Sequence, residues 1–263
     1  MRLRGKFWAW FVVVLGFVYF FLPLVATAEF SLRAQRDTVS FLAYERVLQD
    51  NQFVSSFLFS LRMAVLTILV GVLLIVPTAY WVHLRLPRLR PVVELLTLLP
   101  FVIPVIVLVF GMIRTYSRPP FLMTTTPVTT DVLLVAGYLV ISLPYIYRSV
   151  DVGLRAMDVR SLTEAAQSLG AGWGTILFRI ILPNLRTAAL TGALLTLAIV
   201  IGELTLAQYL ARPAFGPYMA LLGQNRAYEP AALSIISFAL TWAAMGMIYL
   251  LTRGQQAQIG GGH

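Results

Sequence analysis

The chain has no cysteine, a single lysine, two histidines and few acids, and each shortage closes off a class of chemistry. Without cysteine there is no disulfide, no thiol nucleophile and no thiolate-bound metal. The one lysine, Lys6, sits at the edge of the first apolar run. No lysine is therefore left to reach the phosphates in a nucleotide-binding P-loop. His83 and His263 are too few for a histidine-built metal site, and His83 stands at a membrane edge beside Arg85. Charged residues make up 12% of the 263 positions against 59% hydrophobic, which is not the balance of a soluble domain.

What is present in quantity is long apolar sequence. Crossing about 30 Å of hydrocarbon takes roughly 20 mainly apolar residues in a helix. Six runs meet that need, at about 7–28, 60–82, 92–115, 131–149, 185–209 and 230–252. A closed barrel would need alternating segments instead, and these runs do not alternate. The sequence thus predicts an all-α membrane protein with six transmembrane helices in a single domain over 7–252. It also predicts a polar loop at 151–184, a short cytoplasmic N-terminus at 1–6 and a disordered cytoplasmic tail at 253–263.

An even number of crossings puts both termini on one side, and the basic residues choose the side. The stretches "MRLRGK" and "HLRLPRLR" set arginines and the lysine close to helix ends, where the positive-inside rule counts most. Both termini are expected in the cytoplasm, and the net charge of +9 then reflects topology more than a nucleic-acid surface. Ala26-Thr27-Ala28 has the small-x-small pattern of a signal-peptide cleavage site. The apolar run before it exceeds the roughly 7 to 15 residues of a signal core, so the first helix is expected to be retained. The first external connection carries Phe41, Leu42, Tyr44, Val47 and Leu48 at helical spacing, which predicts a surface-lying helix. The connection "RTYSRPPFLMTTTPVTTD" reads as an extended external loop.

Pro77, Pro100, Pro104 and Pro144 fall inside the apolar runs and favour kinks. They either set shape or bend helices around a cavity. In the polar loop, Ser161 followed by Glu164 has the form of a capping box, and Gly170 is placed to end the helix in a left-handed conformation. A second amphipathic stretch, "TILFRIILP", leads to the fifth run, with Pro183 suited to a first helical turn. So short a helix is marginal alone and must be held by packing.

The arrangement Glu164-Ala165-Ala166, three residues, Gly170, nine residues, Ile180-x-Leu182-Pro183 resembles the EAA loop in the membrane subunits of ABC importers. It lies before the penultimate apolar run, where that family carries it. The resemblance implies the type I ABC importer permease fold, with this loop as the cytoplasmic coupling helix that docks into a cleft of a separate ATPase. Ser161, Glu164, Ala165, Ala166, Gly170, Ile180, Leu182 and Pro183 would form that contact. It further implies a cytoplasmic ABC ATPase dimer as partner, a second permease subunit, identical or homologous, and an extracytoplasmic solute-binding protein. ATP and Mg would be bound by the ATPase, with no cofactor on this chain. The implied place is the bacterial inner membrane, as a non-catalytic subunit.

Glu203 is the one acid well inside a run, and a charge at that depth is expected to face protein or water, or to pair with Arg62 or Arg114. It is also the candidate for the substrate pathway. The segments "IVPTAYWVHLRLP", "LLPFVIPVIVLVFG" and "YEPAALSIIS" look like those of the polyamine (spermidine/putrescine) permeases, with relatives for phosphonate, iron or other small solutes. Where polyamine members carry an acidic cluster, "IGELTLAQYL" has one acid. A membrane enzyme would need a nucleophile with a base, paired acids or metal ligands in the runs. An ion-coupled secondary transporter would want intramembrane ionisable groups and internal repeats. Neither set is apparent.

Overall fold

Unbroken runs of Leu, Val, Ile and Ala fold as helix, and in lipid a sequence without the alternation of a closed barrel satisfies its backbone polar groups within the helix. The computed structural model describes residues 2–35 and 38–259. The helices are α1 (Arg2–Ser31), α2 (Leu42–Leu48), α3 (Asn51–Leu84), α4 (Arg90–Val102), α5 (Val105–Tyr116), α6 (Pro127–Arg155) and α7 (Val159–Ser168). They continue as α8 (Trp173–Thr175), a π-helical stretch Ile176–Ile181, α9 (Leu182–Asn184), α10 (Arg186–Gly202), α11 (Thr205–Tyr209), α12 (Phe215–Asn225) and α13 (Glu229–Ile259). No strand occurs among the described residues.

Three helices are long and apolar enough to cross a membrane: Trp10–Ser31 within α1, α3 and α6. Two bent pairs, Pro87–Val102 with Val105–Tyr116 and Trp173–Asn184 with Arg186–Gly202, bring the number to five if each is one span. The sixth expected run contributes the shorter apolar stretch Glu229–Ala243. The third run is broken by 99° rather than kinked. Ile103 is extended there (φ −86°, ψ 116°), as the ring of Pro104 requires of the residue before it, while α4 carries Pro100 without breaking. The tail also departs from expectation. Residues 253–259 continue α13, since Gln255, Gln256, Ala257 and Gln258 are compatible with helix and no proline stops them. Residues 260–263 of the expected tail lie outside the described residues.

The chain divides into two units, one made of Met1–Val54 and Tyr218–Ala244 and the other of Ser55–Pro217 and Met245–His263. In the first, the expected surface helix is present as α2, with Ala43 and Val47 buried. Ser31 Oγ and Tyr44 OH are 2.7 Å apart, Arg46 reaches Glu229 at 3.1 Å, and Tyr218 OH donates to Asp50 at 2.8 Å. The apolar side chains of α1 from Phe11 to Leu22 are mostly exposed, an arrangement that lipid satisfies and water would not.

In the second unit α3 and α6 run through two buried clusters. One joins Met63, Val109, Leu134, Tyr138, Val200 and Leu206; the other joins Val76, Tyr80, Ile146, Val150, Leu154 and Leu185. Gly153 and Gly192 let α6 and α10 close on each other: a Cβ on Gly153 would stand 2.7 Å from Ala188 Cβ.

Candidate functional site: the polar loop and its seat

The helix expected after Ser161 begins three residues earlier. Asp158 is the N-cap, its carboxylate accepting from the Ser161 backbone N–H at 3.1 Å and from Ser161 Oγ at 2.6 Å. These hydrogen bonds hold the Asp158 carboxyl below its ordinary range. Ser161 therefore serves as a donor inside the first turn, and the Ser161–Glu164 capping box is not formed. Glu164 turns outward and pairs instead with Arg160 Nε at 2.8 Å. The other end of α7 is as expected. Gly170 has φ +78°, its N–H donates to Gln167 O, and the Ala171 N–H donates to Ala166 O, closing the helix as a Schellman motif.

Helical spacing divides α7 into two faces. Val159, Thr163 and Ala166 are buried, while Arg160, Ser161, Glu164, Ala165, Gln167 and Gly170 are exposed. Thr163 Oγ1 donates to Val159 O, and it lies 2.9 Å from Tyr80 OH of α3. Trp173, just past the loop, packs at 4.7 Å between ring centroids on Trp81, with the Arg85 guanidinium 5.7 Å from its ring. The π-helical turn that follows buries Ile176 and Ile181 in the cluster that holds Tyr80, Tyr147 and Leu154. Ile180 and Leu182 are half-buried against that cluster and Pro183 is exposed. At Leu185 the chain bends by 74° into α10, so Pro183 lies in the arm before the bend and does not open α10.

The eight residues expected to form the contact thus share one arm, but not one surface. Ala166 faces the core, and Ile180 and Leu182 anchor the arm. Ser161, Glu164, Ala165, Gly170 and Pro183 remain exposed. Sequence reading missed Tyr80, Trp81 and Arg85 as the seat; the signal available was the aromatic pair at the end of a long apolar run.

Beside this seat, α4 and α6 are joined by four charges. Arg90 bonds Glu94 at 3.1 Å and Asp151 at 2.8 Å, and Arg155 bonds the same two carboxylates at 3.0 and 2.6 Å. Glu94, in the second turn of α4, is part of this ring. Asp151 is 4% exposed, so the ring closes over a buried acid.

Glu203 lies apart, and not in a continuous helix. Gly202 ends α10, Glu203 is extended (φ −79°, ψ 127°), and its carboxylate accepts the N–H of Leu206 at 2.9 Å and of Ala207 at 3.4 Å. Among the described residues it pairs with neither Arg62 nor Arg114. The acid satisfies the open start of α11.

The family described as "Binding-protein-dependent transport system inner membrane component" matches residues 71–256. Similar folds occur in a bacterial ABC transporter involved in the import of the acidic polysaccharide alginate, at 16% identity and TM-score 0.72, over 97% of this chain and 99% of that one. A bacterial alginate ABC transporter in complex with alginate pentasaccharide-bound periplasmic protein matches at 18% identity and TM-score 0.63, over 90% and 94%. An amino acid ABC transporter with histidines matches at 18% and 0.57, over 82% and 99%. At these identities the likeness is one of fold. No curated protein matches the sequence significantly.

Proposed function

Because the chain belongs to the family of inner-membrane components of binding-protein-dependent transport systems, we propose that it is the permease subunit of an ATP-driven importer, with α7 as its coupling helix. ATP and Mg are handled on a separate cytoplasmic ATPase dimer, a second permease subunit completes the pathway, and an extracytoplasmic binding protein delivers the solute. Both termini, in this reading, are cytoplasmic.

The observation that carries the reading is the division of labour on α7. One face is fixed to the core through Thr163 and Ala166, while the exposed side chains of the other, among the described residues, bond only within the helix and its cap, as Ser161 to Asp158, Ser168 to Ala165 O and Arg160 to Glu164. At its end Leu169 is 88% exposed, an apolar side chain offered outward at the tip of a polar helix. A helix held on one side and free on the other transmits a push. Motion of α7 reaches α3 through the Tyr80–Thr163 contact and through Trp173 on Trp81, and reaches α10 through the arm to Leu185. The ATPase closes, the arm follows, and the bent helices pass between two arrangements.

The test is attachment. Glu164→Arg sets two like charges side by side on the outer face, and Gly170→Pro is incompatible with φ +78°. Both variants should insert and fold as the parent does, yet retain less ATPase on gentle extraction. Full retention in both would count against the docking role.

The polyamine reading of the solute draws on segment likeness and on Glu203. Both carboxylate oxygens of Glu203 accept backbone N–H groups, which leaves it poorly placed to hold a passing cation. The solute is better sought through the charges that stay free.

A further inference from the structure

Two cavities flank the same stretch of α6. One, of about 620 Å³, is lined by Arg148, Ser149, Gly153, Asn184, Thr187 and Thr191 among others. The second, of about 440 Å³, lies toward α4 and is lined by Glu94, Thr97, Phe101, Tyr145, Arg148 and Ser149 among others. Arg148 and Ser149 belong to both, so this one turn of helix is their common wall. Each cavity falls within the range of sites that take small solutes.

The charges around them are unevenly committed. Glu94 is held by Arg90 and Arg155, and Asp151 on the next turn of α6 is held by the same two arginines. Arg148 is exposed and has neither an ion pair nor a hydrogen bond among the described residues. The remaining polar lining is uncharged. Asn184 Nδ2 donates to Ile180 O and Thr191 Oγ1 to Thr187 O. Arg148 stands seven residues before Arg155, about 10 Å back along α6, at the end of the apolar run 131–149. A guanidinium at the edge of an apolar run calls for water or an anion as its neighbour.

We infer that the cavities on either side of Arg148 receive an anionic solute, and that Arg148 is the counter-charge its carboxylate, phosphonate or sulfate group meets. The inference rests on the permease reading and names its solute class. A planar guanidinium grips such groups with two parallel hydrogen bonds, whereas a polyamine entering here would meet an unneutralised positive charge. The same chemistry also suits a lipid phosphate, since arginines near helix ends reach for headgroups. The experiment separates the two.

The absence of cysteine makes the test direct. Thr191→Cys places a unique thiol of this chain in the wall of the larger cavity. It would be labelled in the full assembly, in nanodiscs of zwitterionic lipid, by methanethiosulfonates carrying a sulfonate or a trimethylammonium group. With Arg148 in place, the sulfonate reagent should react about tenfold faster than the cationic one, after correction for their rates with free thiol. Arg148→Gln should remove that preference and Arg148→Lys should keep most of it. Gluconate or methylphosphonate should slow labelling only where the positive charge is present, and putrescine should not. Equal rates for the two reagents, a preference that survives Arg148→Gln, or protection by putrescine would each overturn the inference. So would loss of the preference on adding phosphatidylglycerol, which would assign Arg148 to a headgroup. ATPase retained by the Thr191→Cys parent is measured in the same preparation, so failure of the permease reading shows itself separately.

Discussion

Gly216 shows how tightly a single residue can be specified. A Cβ there would lie 2.3 Å from the Glu203 carbonyl oxygen and 2.9 Å from Leu204 Cα, backbone against backbone with no flexible side chain to yield. Gly216→Ala should therefore displace the Glu203–Leu204 break and lower stability by roughly 2 kcal/mol. Thermal unfolding of the solubilised chain would show it, and a melting temperature equal to the parent's would refute it. Ser142 makes the opposite case. It is fully buried on α6, and its Oγ has no partner among the described residues, whereas buried Thr196 donates to Gly192 O. Removing an unsatisfied hydroxyl removes a desolvation cost, so Ser142→Ala should leave stability unchanged or raise it by about 1 kcal/mol. Thr196→Val, which breaks a bond that is made, should lower it. If Ser142→Ala proved the more damaging of the two, the packing of this face would be misassigned.

At the scale of elements, the four-charge ring is the joint between α4 and α6. Its members are unequal, because Asp151 is buried while Arg155 is partly open to solvent. Taking the charge from Asp151 leaves Arg90 and Arg155 sharing only Glu94. Asp151→Asn should then cost about 3 kcal/mol, the range for breaking a buried pair from one side, and should loosen α4 before the rest melts. Hydrogen exchange across Arg90–Val102 would report that loosening; uniform protection would show the ring to be dispensable. The elements also mark how far the sequence could be read. The apolar runs gave every long helix, and Gly170 placed the end of α7 correctly, because an αL closure depends on one residue. The start was missed because Asp158 and Ser161 are both competent caps. The choice falls to tertiary contact: starting at Asp158 puts Val159, Thr163 and Ala166 on the face that meets Tyr80. The break at Glu203 was missed for a similar reason. A lone acid in an apolar run looks like a buried charge, and only the approach of Gly216 and the open N–H groups of Leu206 and Ala207 show it to be a joint. Arg148 gave no signal at all, since its meaning lies in the cavities that other helices form around it.

On the scale of the whole molecule, the chain's chemistry and its mechanics point the same way. It carries no P-loop lysine, so it does not hydrolyse ATP through that motif. Among the described residues, four acids of the helices are already committed: Glu203 to α11, Asp151 and Glu94 to arginines, and Asp131 to Arg212 at 2.6 Å. A transporter driven by a proton gradient would need at least one carboxylate free to load and release along the path. What the chain does offer is a rigid arm with a free outer face and a core to push against. Uptake in intact cells should accordingly follow ATP. Collapsing the proton gradient with an ionophore while ATP is maintained should leave most uptake in place, and depleting ATP at an imposed gradient should abolish it. If α7 docks on an ATPase as proposed, Glu164→Arg should reproduce the ATP-depleted phenotype without any change in energy supply. Uptake that tracked the gradient and ignored Glu164→Arg would mean that the free face of α7 serves some other contact, and that the proton relay must be found among acids that here look fully committed.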